Sequence, residues 1–390
     1  MKKSLLFGIT TLYVMCLCLF QLVGCQKKNS ENVAVGQDQS NYSKTKMEIK
    51  YAKGFSVSET NDGIKLVDVA SPKEESEAMP VDYRFALVPH DFEGNVPEGY
   101  SKVKVPISKT IVMTMLQMSN FTALDAHDVI KGITGTKNLY DTDILQKVKE
   151  GKIVKIGMEG EFDPELILAA NPDVIFISPF KRGGYGAIKE TGITLVPHLG
   201  YKELDPLGQA EWIKFIGLFI GKEAMADSVF AGIEQRYQDA KALAANATPK
   251  PTVFSGEMHG GNWFAVGAKN HLAQMFRDAG AEYVFDNDET GGVPIEFEQM
   301  YAAAANADYW RILNSFQGEF NYDALKSSEP RNELFKAYRE KHVIYCNMRQ
   351  TPYYELTPVE PDVVLKDLIA IFHPELMPED YEPTFYRLLK

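Results

Sequence analysis

Residues Glu161–Ser178 read EFDPELILAANPDVIFIS, and the two halves of that stretch ask for different backbones. Asp163 followed by Pro164 is a helix start, a capping carboxylate and then a ring whose fixed φ suits the first turn. Glu165 falls in that turn, where a negative charge meets the positive end of the helix dipole. Pro172-Asp173 then opens the apolar run Val174 to Ile177, which is short and has no polar alternation. A strand of that kind is buried on both faces, as in a parallel sheet covered by helices.

The pattern repeats in both directions. TIVMT (110–114), IVKIGM (153–158) and ITLVPHL (193–199) are short apolar runs separated by helical stretches. PTVFSGE (251–257), AEYVFDND (281–288), ADYWRILNS (307–315) and HVIYCNM (342–348) do the same further on. Two such sets predict an α/β fold of two Rossmann-like lobes with parallel sheets and a ligand cleft between them. Between the sets, Asp205-Pro206 starts a helix, and Trp212, Phe215, Ile216, Phe219 and Ile220 recur at helical spacing as a core stripe. The pattern predicts one long helix joining the lobes, from about Pro206 to Leu243, with a kink near Gly217 or Gly221. The expected division is an N-terminal lobe over 47–205, an inter-lobe helix over 206–245 and a C-terminal lobe over 246–390. Within the first lobe, alternating runs flank Asn61-Asp62-Gly63, a hairpin signal, and VDYRFALVPH (81–90) and YSKVKVPI (100–107) read as further strands.

The front of the chain sets the compartment. Lys2 and Lys3 precede a nearly unbroken apolar run from Leu5 to Val23, the pattern of a secretory signal peptide. That run is also long enough to cross a bilayer, which takes ~20 apolar residues. Leu22-Val23-Gly24-Cys25 resembles the bacterial lipobox, which implies cleavage before Cys25 and a diacylglycerol on its sulfur. Residues 1–24 are then a leader, and 25–46, polar and without periodicity, a tether. The expected location is the bacterial cell envelope, exported and lipid-anchored, on the periplasmic side. Loss of Lys2 and Lys3 takes the formal charge from −12 to −14, which argues against nucleic acid as a partner. Cys16 and Cys18 leave with the leader and Cys25 carries lipid, so Cys346 has no partner for an internal disulfide.

From about Val105 onward the chain resembles the periplasmic substrate-binding proteins of ABC importers for ferric siderophores, haem and cobalamin. The opening stretch is similar to the family's helix-then-strand signature. PIEFEQMYAAAANADYWRI (294–312) is its counterpart in the second lobe, with Ala307-Asp308 where Pro-Asp would stand. GNWFAVGAKNHLAQMFRDAGAEYVF (261–285) and VVLKDLIAIFHPEL (363–376) resemble the passages that open and close the family's C-terminal lobe. The residues before about Tyr100 lie outside the resemblance. It implies a monomeric binding protein, not an enzyme, that delivers its ligand to an ABC permease powered by a cytoplasmic ATPase. It also implies one surface glutamate per lobe for docking on permease arginines. By distance from the strand-opening aspartate these are Glu165 and Glu298, the second spacing being two residues longer.

Ligands of doubly wound sheets bind beyond the carboxyl ends of the strands. The residues following each strand give the candidate ligand contacts Met158, Arg182, Tyr185, Trp263, Phe316, Arg349 and Tyr353. Aromatic faces with cationic ends suit a metal chelate, a ferric siderophore or alternatively cobalamin or haem, as ligand rather than cofactor. The histidines at 90, 127, 198, 259, 271, 342 and 373 are scattered without ligand spacing, so no bare-metal site is expected. A structural role is the default for each, with His198 and His259, both placed to reach the cleft, as axial haem ligands in the alternative. A rival class is an exported α/β hydrolase, since Ser255, Glu257 and His259 lie close together in FSGEMHGG (254–261). That stretch lacks the Gly-x-Ser-x-Gly elbow such an enzyme needs.

Overall fold

The structure is a computed structural model that describes residues 45–46, 48–70, 83–158, 161–179 and 185–390. The leader, Cys25, most of the tether and Arg182 lie outside the described residues.

Asp163 accepts from the backbone N–H of Glu165 and Leu166 at 3.0 and 3.1 Å and starts helix Pro164–Ala170, which ends at Asn171 in the left-handed region. Strand Val174–Ile177, every residue buried, follows. Asp173 accepts from the N–H of Ser108 at 2.7 Å and of Lys109 at 2.9 Å, ahead of the neighbouring strand Thr110–Val112. The second lobe repeats the device: Asp308 accepts from Thr252 N at 2.8 Å, where strand Thr252–Ser255 begins beside Tyr309–Asn314.

In chain order, the first sheet holds β1 (Thr45–Lys46), β2 (Phe55–Glu59), β3 (Lys65–Val69), β4 (Tyr83–Val88) and β5 (Ser101–Lys104), paired in that order. β2 and β3 form the hairpin expected at Asn61-Asp62-Gly63, with Glu59 opposite Lys65. The N-terminal lobe is built on β6 (Thr110–Val112), β7 (Ile130–Ile133), β8 (Val154–Lys155), β11 (Val174–Ile177) and β12 (Thr194–Pro197). These are all parallel, in the order β12-β11-β6-β7-β8. Between β8 and β11 stands the pair β9 (Gly157–Met158) and β10 (Glu161–Phe162). Helices α1 (Met115–Ala123), α2 (Thr142–Lys149), α3 (Pro164–Ala170) and α4 (Gly186–Lys189) connect these strands.

The C-terminal lobe has β13 (Thr252–Ser255), β16 (Glu282–Tyr283), β18 (Tyr309–Asn314), β19 (Val343–Asn347) and β20 (Arg387–Leu388), in the order β16-β13-β18-β19-β20. All neighbours are parallel except β19 and β20. A smaller antiparallel sheet joins β14 (Glu257–His259), β15 (Asn262–Val266) and β17 (Gly292–Ile295). The α/β character, the parallel sheets and the two lobes are as the sequence predicts.

The connector differs from expectation. It is two helices, α5 (Pro206–Ile220) and α6 (Glu223–Ala244), divided at Gly221, whose φ of 68° lies in the left-handed region and ends the first helix. α5 belongs to the N-terminal lobe. Its Trp212 meets Phe55 edge-on at 4.8 Å between ring centres, and its Phe219 meets Phe176 of β11 at 5.4 Å. α6 alone carries the chain across. Glu234 on it pairs with Lys50 and accepts from Tyr51 Oη, while Arg236 pairs with Asp362 at 3.0 Å and Tyr237 Oη donates to Asp278 at 2.9 Å. The C-terminal lobe continues through α7 (His271–Asp278), α8 (Phe297–Ala304), α9 (Tyr322–Ser328), α10 (Lys336–Arg339), α11 (Tyr353–Leu356) and α12 (Pro361–Phe372). Among the described residues no helix is long and apolar enough to cross a membrane.

The extra N-terminal strands are fastened to α5 and to the segment just before it by two buried carboxylates. Glu211 accepts from the backbone N–H of Lys50, Tyr51 and Ala52 at 3.0, 2.7 and 2.9 Å, and Glu203 accepts from those of Lys53 and Gly54 at 3.0 and 2.9 Å. Glu211→Ala leaves this run of donors without acceptors. It is expected to lower stability by about 3 kcal/mol, read as a lower midpoint in urea denaturation with unchanged slope.

Candidate functional site

Strand order locates the site before any side chain is considered. In the N-terminal sheet the chain winds from β6 one way to β8 and then returns to β11, so crossovers diverge between β6 and β11. In the C-terminal sheet they diverge between β13 and β18. Divergence opens a crevice at the carboxyl ends, where a ligand can enter.

The N-terminal crevice continues over β6 and β7 into a cavity of ≈ 270 Å³ lined by Met113, Met115, Met118, Ile133, Lys137 and Met158 among others. Thioethers and aliphatic chains make this wall apolar and adaptable in shape. Met158, 72% exposed, lies on β9 and lines this cavity.

The C-terminal crevice is larger, ≈ 520 Å³, and more polar. Glu257, Met258 and His259 of β14, Phe264 of β15, and Arg311 and Asn314 of β18 line it. β14 reaches the crevice because the chain turns sharply at Gly256, whose φ is 106° and where an added Cβ would stand 1.9 Å from Phe264 O. Arg311, opposite Ser255 in the β13–β18 register, is only 7% exposed. Its Nε donates to Tyr386 Oη at 2.8 Å and its guanidinium lies 5.2 Å from the centre of that ring. Tyr386 Oη in turn donates to Tyr353 Oη at 2.9 Å. Asn314 Nδ2 donates to both oxygens of Glu257, at 3.1 and 3.2 Å. Burial pushes the Glu257 carboxyl up to about 7, against the opposing pull of Asn314 and Arg311.

The two crevices belong to facing surfaces. Tyr140, in the loop after β7, donates from its Oη to Met348 O at 3.2 Å, and Met348 N donates to Asn314 O at 2.9 Å. Beside this contact Glu355 of α11 accepts from the N–H of Tyr140 and Asp141 at 2.7 and 2.8 Å, so a C-terminal residue caps the approach to α2. Burial raises the Glu355 carboxyl above its ordinary value, opposed by these two backbone donors.

The expected site residues separate into those that reach this region and those that do not. Phe316 is partly exposed in the loop after β18, with its ring 5.0 Å from Phe320. Arg349 is exposed after β19 and donates from Nε to Ser315 O at 2.8 Å. Tyr353 is half-buried, part of the Arg311–Tyr386 chain rather than a free face. Trp263 and Tyr185 are not ligand stackers in this structure. Trp263 is fully buried among Phe254, Trp310 and Phe335, and donates from Nε1 to Ser255 O at 3.0 Å. The cause is strand alternation, which turns Phe264, not Trp263, to the crevice. Tyr185, 6% exposed, hydrogen-bonds through its hydroxyl to the backbone of Ser178 and stacks on Phe162.

Arg311 and Asn314 were not among the sequence candidates, because they lie within the strand and not after it. The available signal was an arginine interrupting an otherwise apolar run, YWRIL. Ser255, Glu257 and His259 form no hydrolytic arrangement. Ser255 is buried with Oγ 3.3 Å from Tyr283 Oη, Glu257 is held by Asn314, and His259 is exposed on the β14 hairpin. His198 is fully buried against Trp212, and burial lowers it to about 3, so it is structural. Glu165 and Glu298 are both exposed in the first turns of α3 and α8, with Glu298 pairing with Arg331 at 3.1 Å.

The chain belongs to the periplasmic binding protein family, whose sequence profile matches residues 115–349. The uncharacterized lipoprotein MJ0878 of Methanocaldococcus jannaschii is 28% identical over 402 residues, covering 96% of this chain and 94% of that one. Among solved structures, a periplasmic heme binding protein from Pseudomonas aeruginosa superposes with TM-score 0.58 at 18% identity, over 73% of this chain and 98% of that chain. The siderophore binding protein BauB, bound to a complex of two acinetobactin molecules and ferric iron, superposes with TM-score 0.54 at 16% identity, over 69% and 93%. These likenesses establish the fold.

Glu355→Ala is expected to release the inter-lobe contact. Amide hydrogen exchange at Tyr140 and Asp141 should accelerate by at least tenfold, while β11 and β18 keep their protection.

Proposed function

We propose that this protein is the lipid-anchored solute-binding component of an ABC importer, and that it holds a metal chelate of the ferric-siderophore type between its lobes for a membrane permease. The observation that carries the reading is the pairing of unlike walls. A methionine-lined apolar cavity stands at one switch point and a polar crevice with a buried arginine at the other, with Tyr140 and Glu355 linking the lobes. A chelate presents both an apolar ligand shell and polar or anionic donors, and two such walls suit it. Haem and cobalamin share that duality. The heme-binding neighbour from Pseudomonas aeruginosa and the ferric siderophore in BauB support this range of ligands. The name of MJ0878 as a lipoprotein supports the anchor read at Cys25. On this reading the binding protein performs no chemistry on its cargo, and a cytoplasmic ATPase drives transfer. The protein acts as a monomer outside the cytoplasmic membrane, with Arg349 and Phe316 at the rim.

Isothermal titration of the detergent-solubilised protein with ferric hydroxamate, ferric citrate, ferric catecholate, haemin and cyanocobalamin tests the cargo. One class is expected to bind with Kd below about 1 μM. Absence of heat with every chelate, from folded protein, would overturn the reading. All three tryptophans are fully buried, so calorimetry suits this measurement better than fluorescence quenching.

The exposed Glu165 and Glu298 are proposed to seat the two lobes on permease arginines. A pair of separated charges sets orientation more than affinity. Glu165→Lys is expected to abolish uptake of the bound chelate in cells and to leave its Kd unchanged. A parallel loss of affinity would refute a docking role.

A further inference from the structure

Arg311 is a buried cation, 7% exposed, that no carboxylate among the described residues contacts directly. Its partners among the described residues are the hydroxyl and the ring of Tyr386, which give a dipole and a π face but no neutralising charge. Burying a charge without a counter-charge is costly, so such a group is retained where something else meets it. Glu257 lines the same crevice and could have been that partner. Instead, both of its oxygens are taken by the Asn314 amide, and Asn314 is itself fixed by Tyr345, whose Oη donates to Asn314 Oδ1 at 2.9 Å. Cation and carboxyl thus share one crevice of ≈ 520 Å³ and are held apart within it.

We propose that Arg311 anchors an anionic group of the ligand and that Glu257 governs this contact through its own charge, so that the site takes up an anion and a proton together. This rests on the binding-protein reading above and deepens it, naming an anionic chelate as cargo and pH as its control. The groups facing Glu257 are Arg311 from β18, Tyr345 from β19 and His259 on β14 itself, while β15 contributes the apolar Phe264 and Val266. With Glu257 ionised, its field cancels that of Arg311 and opposes an incoming anion. With Glu257 carrying a proton from solvent on a carboxyl oxygen, the guanidinium is free to pair with the ligand. Its titration near 7 places this change in the physiological range, with affinity highest below it and falling as pH rises through it.

The test compares ferric citrate, an anionic carboxylate chelate, with ferrichrome, a neutral ferric trihydroxamate, by calorimetry at pH 5.5 and pH 8 on the detergent-solubilised full chain. Wild-type protein is expected to bind ferric citrate about tenfold more weakly at pH 8, one unit above the titration of Glu257. Glu257→Gln should tighten binding about tenfold at pH 8, with a smaller gain at pH 5.5. The ratio of variant to wild type at each pH removes the ligand's own titration. Arg311→Lys should lose roughly tenfold in affinity and Arg311→Met roughly a hundredfold. A misfolded variant cannot gain affinity, so the Glu257→Gln result stands even where an Arg311 variant fails to fold. Binding of ferrichrome alone, or of ferric citrate with no change in Glu257→Gln at pH 8, would overturn this inference and leave the chelate reading intact. Binding of neither probe would overturn this inference, and only silence across the wider ligand panel would overturn the chelate reading.

Discussion

In each lobe an aspartate at the start of one strand accepts the first N–H groups of the strand beside it. Asp173 does this for the segment leading into β6, and Asp308 for β13. These contacts fix the register of the central parallel pairs, β11 with β6 and β18 with β13. A slip of one residue would turn every side chain to the opposite face. It would take Arg311 out of the crevice. The site depends on this register because its polar wall is built from within a strand and from the turn after another.

The rest of the fold holds the two lobes to one another. α6 touches both, through Glu234 on one side and Arg236 and Tyr237 on the other. α11 then returns to the N-terminal lobe, where Glu355 closes on the backbone of Tyr140 and Asp141. A rigid helix and a polar contact at the opposite end leave little freedom for wide opening. Small motions about α6, limited by the Glu355 contact, are what this geometry permits. The added N-terminal sheet stiffens α5 further, since Glu203 and Glu211 draw the chain from Lys50 to Gly54 against it.

Electrostatics divides the molecule from its site. The chain carries a formal charge of −12, yet the crevice presents the Arg311 guanidinium. A net negative surface does not exclude an anion whose contacts are local and poorly screened by solvent. The apolar wall lined by Met113, Met115, Met118 and Met158 adds burial without directionality, so specificity falls to the polar side.

Much of the fold was legible in the sequence. Short apolar runs without alternation, repeated between helical stretches, fit parallel sheets covered on both faces, and Asp-Pro pairs mark helix starts by local chemistry alone. Asp163, Asp205 and the hairpin at Asn61-Asp62-Gly63 stand as read, because each depends on residues within a few positions. The division of α5 from α6 was half legible: Gly221 was visible, but only packing decides between a kink and a break. The site was less legible still. Trp263 and Tyr185 follow strands as ligand residues should, yet strand alternation and a hydrogen bond to Ser178 turn them into the core. Arg311 hid inside an apolar run. Sequence determined which segments become strands and helices, since that is settled by near neighbours along the chain. Only the tertiary structure decided which side chains face the cleft, since that depends on register between strands more than fifty residues apart, such as Ser255 and Arg311.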